Sequence, residues 1–248
     1  MKIENKEFWE IDSVIATQEV LKKSSAFELF MFENAKKRYS SFGDIKTIKI
    51  FACGTGREIE SIAEFYNPNK IIASDLSENM IKKCNENLKT WKIYSITETL
   101  VINAKDYDFE TNKFDLVTIL NSMLAYVPLK SDRLRIFKNA YQILKPNATI
   151  IGTVHNQIGT PTKTFYFKIR NLFSFILGDK VGNRKTGFNG YKVSGYYYNK
   201  QGLYDELLLS GFETIEIYSL EEYYKLVGIN YNRKKGYNNL IFIASKKE

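Results

Sequence analysis

The sequence predicts an α/β fold: a seven-stranded, mostly parallel sheet with helices on both faces and an antiparallel last pair. Three observations carry this. From Lys46 to Val154, short β-rich runs alternate with amphipathic stretches, the rhythm that crossover connections impose on a parallel sheet. Glycines sit at a strand-to-helix turn, Gly54-Thr55-Gly56. The 248 residues are 44% hydrophobic and 26% charged with four prolines, which excludes disorder, collagen-like repeats and a disulfide scaffold and suits one α/β domain carrying an insertion.

The elements follow in order. The opening forty residues read as helix, because Phe27, Phe30, Met31 and Ala35 fall at helical spacing before Gly43-Asp44 breaks the run. Residues 48–52 form a strand, the glycines turn, and 57–66 read as helix. The next strand is 71–74 and the next helix 77–88; strands follow at 100–102 and 114–120, a helix at 131–144 and a fifth strand at 148–154. A helix over 199–210 ends at Gly211, and 212–220 and 240–244 are the last two strands. The chain thus reads as one domain, 1–248: N-terminal helices over 1–44, a core over 45–155, an insertion over 156–198, and a C-terminal helix with strands over 199–248.

The net charge is +8 and is placed unevenly. Within 156–198 stand seven basic residues (Lys163, Lys168, Arg170, Lys180, Arg184, Lys185 and Lys192) against Asp179 alone, so +6 of the +8 belongs to the insertion. A global basic surface of the kind that binds nucleic acid is therefore not predicted, since the rest of the chain is almost balanced. Cys53 and Cys84 lie in segments that read as internal, which fits a reducing compartment. Met1 to Lys6 lacks the apolar run of a secretory signal, and no stretch reaches the length of a membrane span, so a cytoplasmic protein without a membrane span is expected.

The residues that carry chemistry start at Ala52-Cys53-Gly54-Thr55-Gly56. Glycines at a strand-to-helix turn let a ligand approach the backbone, and the helix that follows offers free N–H groups. Asp75 stands at the end of the next strand, where a carboxylate can accept hydrogen bonds from ribose hydroxyls. A dinucleotide fingerprint would place a small third residue where Ile59 stands, and no Lys-Ser or Lys-Thr follows the loop as phosphate binding of the P-loop kind requires. A cofactor with a ribose but no phosphate fits best. No Asp/His cluster with ligand spacing is visible, so no metal is expected.

From about Ile45 to Asn156 these residues resemble the class I S-adenosylmethionine-dependent methyltransferases of the small-molecule type. The segment 52–56 looks like the family's first motif, and Asp75-Leu76-Ser77-Glu78-Asn79-Met80-Ile81 like its acidic second-strand motif. Asn103-Ala104-Lys105-Asp106 resembles the adenine-edge segment, residues 114–117 with Leu120-Asn121-Ser122 and the run to Tyr126 resemble the fourth-strand motif, and Leu144-Lys145-Pro146-Asn147 stands where the family often has Leu-Lys-Pro-Gly. The resemblance implies a Rossmann-like fold, S-adenosylmethionine as cofactor with S-adenosylhomocysteine as product, and a cofactor site made of Ala52, Cys53, Gly54, Thr55, Gly56, Asp75, Leu76, Met80, Asn103, Ala104 and Leu120. The chain departs from the pattern at Ile50, where the family often has an acidic residue, and at Ala52, where glycine is common. The cofactor's ammonium group is then left to backbone carbonyls near Ala52 and Leu120 or to a residue of the N-terminal helices.

Methyl transfer from a sulfonium needs chiefly alignment, and a base only when the acceptor arrives protonated. His155, the single histidine, and Tyr126 are the candidates for that role, each set against a plainly structural reading. The insertion is expected to be an acceptor lid, made of an aromatic helix over 165–177 and a glycine-rich mobile loop, with the aromatic helix also a candidate homodimer contact. Arg184, Lys185 and Lys192, with Asn121, Ser122, Tyr126 and His155, would then bind a small anionic acceptor bearing phosphate, nucleotide or carboxylate, a sugar among them, methylated on O or N. The alternatives are an RNA cap or base methyltransferase, which the Ile151-Gly152-Thr153 stretch faintly resembles, and a binding protein that has kept the fold and lost catalysis.

Overall fold

The computed structural model describes residues 4–19, 23–108, 111–232 and 238–247. Three helices precede the sheet: α1 (Asn5–Trp9), α2 (Asp12–Glu19) and α3 (Ala26–Tyr39). β1 (Thr47–Phe51) runs through the glycine loop into α4 (Arg57–Tyr66), followed by β2 (Lys70–Asp75), α5 (Glu78–Thr90), β3 (Thr97–Val101), β4 (Phe114–Ile119), α6 (Lys130–Ile143) and β5 (Leu144–His155). The insertion carries α7 (Pro161–Leu172), α8 (Ser174–Leu177), β6 (Asn183–Thr186) and β7 (Val193–Tyr196), and the chain closes with α9 (Lys200–Leu209), β8 (Phe212–Ser219), α10 (Leu220–Leu226) and β9 (Asn239–Lys246).

Seven strands form one sheet in the order β3-β2-β1-β4-β5-β9-β8, in which β9 runs antiparallel to both of its neighbours and the other pairings are parallel. β1, β2, β4 and β5 are buried almost throughout, as continuous apolar runs in a doubly covered parallel sheet should be. The strand order reverses between β1 and β4, and at such a point the loops leaving the two strands part and open a crevice.

The expected seven-stranded, mostly parallel sheet with its antiparallel last pair is present. Three local readings change. The third strand begins at Thr97 rather than Leu100: it is a sheet edge, and edge strands carry polar residues such as Glu98 that mask their pattern. The aromatic helix is two helices, α7 starting on Pro161 and the single turn α8. The glycine-rich stretch read as a mobile loop is the hairpin β6–β7, turning through Gly187, Asn189 and Gly190 at positive φ. Gly195 is required there, because a Cβ on it would meet the Ala125 carbonyl oxygen at 2.7 Å, so only glycine lets β7 lie against the turn after β4.

Candidate active site

The carboxyl ends of β1, β2 and β4, with the segment after β3, enclose a cavity of about 480 Å³. Ala52 and Gly54 line it from the first loop, Asp75 and Leu76 from the second strand's end, Met80 from α5, Ile102, Asn103, Ala104 and Lys105 from the segment after β3, and Asn121, Met123 and Tyr126 from the turn after β4. The loop takes its shape from left-handed backbone: Gly54 has φ +54°, and Ala52, where glycine would be relaxed, has φ +52°. A Cβ on Gly54 would touch only the Met80 sulfur, at 4.0 Å, so that side of the loop is open to the cavity.

Asp75 ties the parts together. Its Oδ2 accepts from the Gly54 N–H at 2.9 Å and its Oδ1 from the Ser77 N–H at 3.0 Å, so the plane of the carboxylate is fixed by backbone alone. Burial raises its pKa above the ordinary carboxylate value, and the N–H groups of Ser77 and Gly54 hold that rise in check. Asn103 accepts from the Lys105 N–H and starts the short 3-10 turn of 104–106, while Lys105 pairs with Asp132 across 3.3 Å; both ends of that pair also line the cavity.

Asn121 and Ser122 both have positive φ, +54° and +56°, a strained pair of the sort that surrounding contacts must hold in place. Arg57, the first residue of α4, supplies one contact by donating to Asn121 Oδ1 at 2.8 Å. The same guanidinium makes a two-pronged bond to buried Glu28 of α3, at 2.5 and 3.0 Å. Neither residue stood out in the sequence, since each draws its role from a partner tens of positions away. Ser122 points elsewhere: its N–H donates to Thr153 Oγ1, and its hydroxyl accepts from Asn239.

Not every expected residue reaches the cavity. Cys53, Thr55, Gly56 and Leu120 are not in its wall. Cys53 and Leu120 are core, Gly56 at φ +86° packs so close to Cys84 that a Cβ would meet its sulfur at 2.8 Å, and the Thr55 carbonyl is taken by Asn87. Ile50 is fully buried and also outside the wall. Lys185 and Lys192 are exposed and are not in the wall, to which the hairpin contributes Ser194. His155 is a correction to the direct acceptor contact expected of it. Its ring lies behind Tyr126, with ring centres 6.1 Å apart, and it is absent from the cavity wall. Desolvation, with nearby Lys163 as a second cause, lowers its pKa to about 4, and its Nδ1 has no hydrogen-bond partner among the described residues.

Tyr197 lies tilted against His155 with ring centres 5.0 Å apart, and Lys163 and Arg184, which are likewise outside the wall, lie over the Tyr197 ring at 5.7 and 5.6 Å. Burial and the neighbouring Arg184 lower the Lys163 pKa to about 8. No carboxylate pairs with either cation among the described residues. Lys163 was seen in the sequence only as part of the charge total; its placement beside Arg184 depends on the hairpin that carries Arg184.

The roof of the cavity comes from the N-terminus, which the sequence marked only as helix. Glu4, Asn5, Lys6, Trp9 and Gln18 line it. Asn5 donates to the Tyr126 carbonyl, Ser77 donates its hydroxyl to the Trp9 carbonyl at 3.0 Å, and Glu10 accepts from the Glu78 and Asn79 N–H groups at the start of α5. Phe8 packs on Tyr126, Phe188 and Tyr191, so α1, the hairpin and the turn after β4 share a second apolar cluster distinct from the sheet core.

Residues 50–147 match the family model described as a methyltransferase domain. YqeM of Bacillus subtilis, a methyltransferase by name, is 26% identical over 122 residues, covering 49% of this chain and 44% of that relative, so this chain spans less than half of its length. UbiE of Escherichia coli, a ubiquinone/menaquinone biosynthesis C-methyltransferase, is 22% identical over 181 residues, covering 71% of this chain and 69% of the relative. Among solved structures, phosphoethanolamine N-methyltransferase 2 of Haemonchus contortus, in complex with S-adenosyl-L-methionine, aligns with a TM-score of 0.64 at 16% identity over 99% of this chain and 60% of that one. The likeness in structure speaks for the fold, and the matched segment spans the glycine loop, Asp75 and the turn after β4, the parts that build the cavity. Residues 50–147 thus match a methyltransferase domain, and the chain as a whole shares its fold with an S-adenosyl-L-methionine-binding methyltransferase.

Proposed function

We propose that this protein transfers a methyl group to an oxygen or nitrogen of a small anionic acceptor, and that Lys163 and Arg184 hold the acceptor's anionic group. Their adjacency over one ring, with no carboxylate paired to either among the described residues, is the observation that carries this reading. Burial and the neighbouring Arg184 disfavour the charged form of Lys163, and an anion held between the two cations would favour it. The acceptor-named relatives differ: one is named for phosphoethanolamine, an anionic amine, and the other for a carbon methylation in quinone biosynthesis. The cation pair favours the anionic class.

The cavity suits S-adenosylmethionine, which when bound supplies an electrophilic methyl group on a sulfonium. Asp75, fixed by two backbone N–H groups, keeps further lone pairs for ribose hydroxyls. Leu76, Met80 and Ala104 offer apolar walls for the adenine, Asn103 its polar edge, and Ala52 and Gly54 a bare backbone for the methionine part. Ile50 leaves no carboxylate for the ammonium group, and Glu4 and Gln18, which line the same cavity, are the residues that would take it up. Asn121 and Tyr126 border the acceptor side, and their rigid seating provides the alignment on which an in-line displacement depends. His155, neutral above about pH 4, braces Tyr126 against Tyr197. The hairpin and α1 act together as the lid over the site.

The test is incubation with methyl-labelled cofactor and an extract of the source cell, followed by separation of small molecules, RNA and protein. Label is expected in an anionic small molecule, and Asp75→Ala is expected to abolish it at limiting cofactor. With that compound as substrate, Arg184→Ala and Lys163→Ala are each expected to raise KM by about tenfold, the loss of one charge-assisted contact. Label in RNA, or a neutral labelled product, overturns the reading.

A further inference from the structure

We propose that the outer face of α7 and α8 docks this protein onto an anionic lipid surface. α7 has two faces of different kinds. One is seated: Phe167 is fully buried, Lys163 and Arg170 are half-buried, and Asn171 donates to Gln157 Oε1 at 2.9 Å. The other carries Phe165, Ile169 and Leu172 at helical spacing, and the stripe runs on through Phe173, Phe175 and Ile176. An apolar stripe at that spacing is the mark of a helix face meant to be covered. Here it points to solvent, with Phe165 65%, Leu172 75% and Phe175 82% exposed.

A second element extends the patch. A cleft of about 820 Å³ runs between α7, which contributes Phe165 and Lys168, and residues Asn230 to Asn232. The segment leading into that second wall exposes Leu226, Val227 and Ile229. Exposed apolar side chains thus stand on both segments that meet at the cleft, the contiguous kind of patch that marks an interaction surface.

Charge decides between occupants. Lys168 and Lys180 flank the stripe, are exposed, and form no ion pair among the described residues, while Asp179, the one acidic residue of the insertion, is taken up by Lys130 at 2.9 Å. A second copy of the chain meeting this face about a two-fold axis would bring together two faces that each carry these unpaired lysines and no free acidic residue of the insertion. An anionic bilayer satisfies both features at once, taking the apolar side chains into its interface and the lysines at its phosphates. Among the described residues no helix is long and apolar enough to cross a membrane, so the contact is one of lying on the surface. The proposal does not rest on the methyl-transfer reading.

Flotation of the full chain with vesicles of phosphatidylcholine, with and without phosphatidylglycerol, tests it. Binding is expected to the anionic vesicles, weakened by high salt. The triple variant Leu172→Ser, Phe175→Ser and Ile176→Ser is expected to lower the bound fraction about tenfold or more with an unchanged melting temperature, since all three side chains are exposed. Lys168→Glu with Lys180→Glu is expected to abolish the preference for anionic lipid, and Leu209→Ser, exposed on α9, to change nothing. Failure of the wild type to float with anionic vesicles overturns the proposal, as does floating of the triple variant to the wild-type extent. A concentration-dependent dimer in sedimentation velocity that the triple variant loses, without vesicle binding, also overturns it and makes a second copy the occupant.

Discussion

Glu58 and Lys49 are ionisable side chains with almost no access to water, and they set opposite demands on pH. Glu58 follows the glycine loop; neither of its side-chain oxygens has a hydrogen-bond partner among the described residues, and burial raises its pKa to about 7. Lys49, in the middle of β1, donates to Ser74 Oγ at 2.7 Å and lies over the rings of Tyr107 and Phe51, and burial lowers its pKa to about 7. A carboxyl with a raised folded pKa stabilises the fold below its unfolded value, and that contribution is lost as pH rises through the interval up to about 7. A lysine with a lowered folded pKa does the reverse, costing stability below about 7 and recovering it at higher pH. Their joint contribution is therefore lowest near neutrality. Glu58→Gln is expected to raise the melting temperature at pH 8 and to flatten the fall between about pH 5 and 7, a difference of a few kcal/mol. Lys49→Met is expected to raise it at pH 6 and to have little effect near pH 10. Melting curves across pH check both signs, and a variant whose pH slope matches the wild type sinks the assignment for that residue. Neither group could be found from sequence, because an isolated Glu or Lys shows its burial only once the sheet is assembled. Asn147 is the contrary case: at φ +64° it sits where the resembled family has glycine, and asparagine tolerates that backbone best among the other residues.

At the scale of elements, one buried ion pair joins pieces the sequence left separate. Arg133 of α6 is fully buried and bonds Glu206 of α9 through Nε and a terminal nitrogen, the latter at 2.7 Å. Its other terminal nitrogen donates to the carbonyls of Val127 and Pro128, both in the cavity wall. The guanidinium lies 3.6 Å from the ring centre of Tyr196 at the end of β7, and Tyr198 donates to Glu206 at 2.8 Å. Removing one partner of such a pair strands the other charge, so Glu206→Ala is expected to cost about 3–5 kcal/mol in chemical denaturation. It is also expected to loosen the hairpin, read as faster amide exchange in 193–196; an effect confined to α9 would show that the pair does not anchor it. The core strands and helices were legible because burial on both sheet faces leaves continuous apolar runs and amphipathic helices leave a period. The hairpin was not, since β6 is half exposed and carries Arg184 and Lys185, β7 is only four residues long, and the pair owes its seating to Gly195 and to Tyr196, which meets Arg133 only in the folded chain.

At the scale of the molecule, the described residues form two apolar bodies with a cavity between them. The larger is the sheet with α3 to α6 and α9; the smaller joins Phe8, Val14, Ile15, Tyr126 and Val193, with Met80 beneath. The floor of the cavity was legible, because strand order fixes where the loops of β1, β2 and β4 emerge, and Gly54 and Asp75 mark two of those ends. The roof was not. α1 has five residues, too few to give a period, and its side chains gain meaning only against Phe188 and Tyr191, about 180 positions away in a chain whose long-range contacts sequence periodicity does not encode. Because the roof shares no side chain with the sheet core, the two should separate on truncation. A chain starting after Glu19 is expected to unfold cooperatively, with a small decrease in melting temperature. Its affinity for S-adenosylmethionine is expected to fall by about tenfold or more, as Trp9, Glu4 and Gln18 leave the wall and water enters. The milder Trp9→Ala is expected to act in the same direction with a smaller loss. Calorimetric titration of the full and shortened chains decides the matter: equal affinities would mean that the cofactor is held by the floor alone and that the N-terminal helices cover the cavity without gripping what it holds.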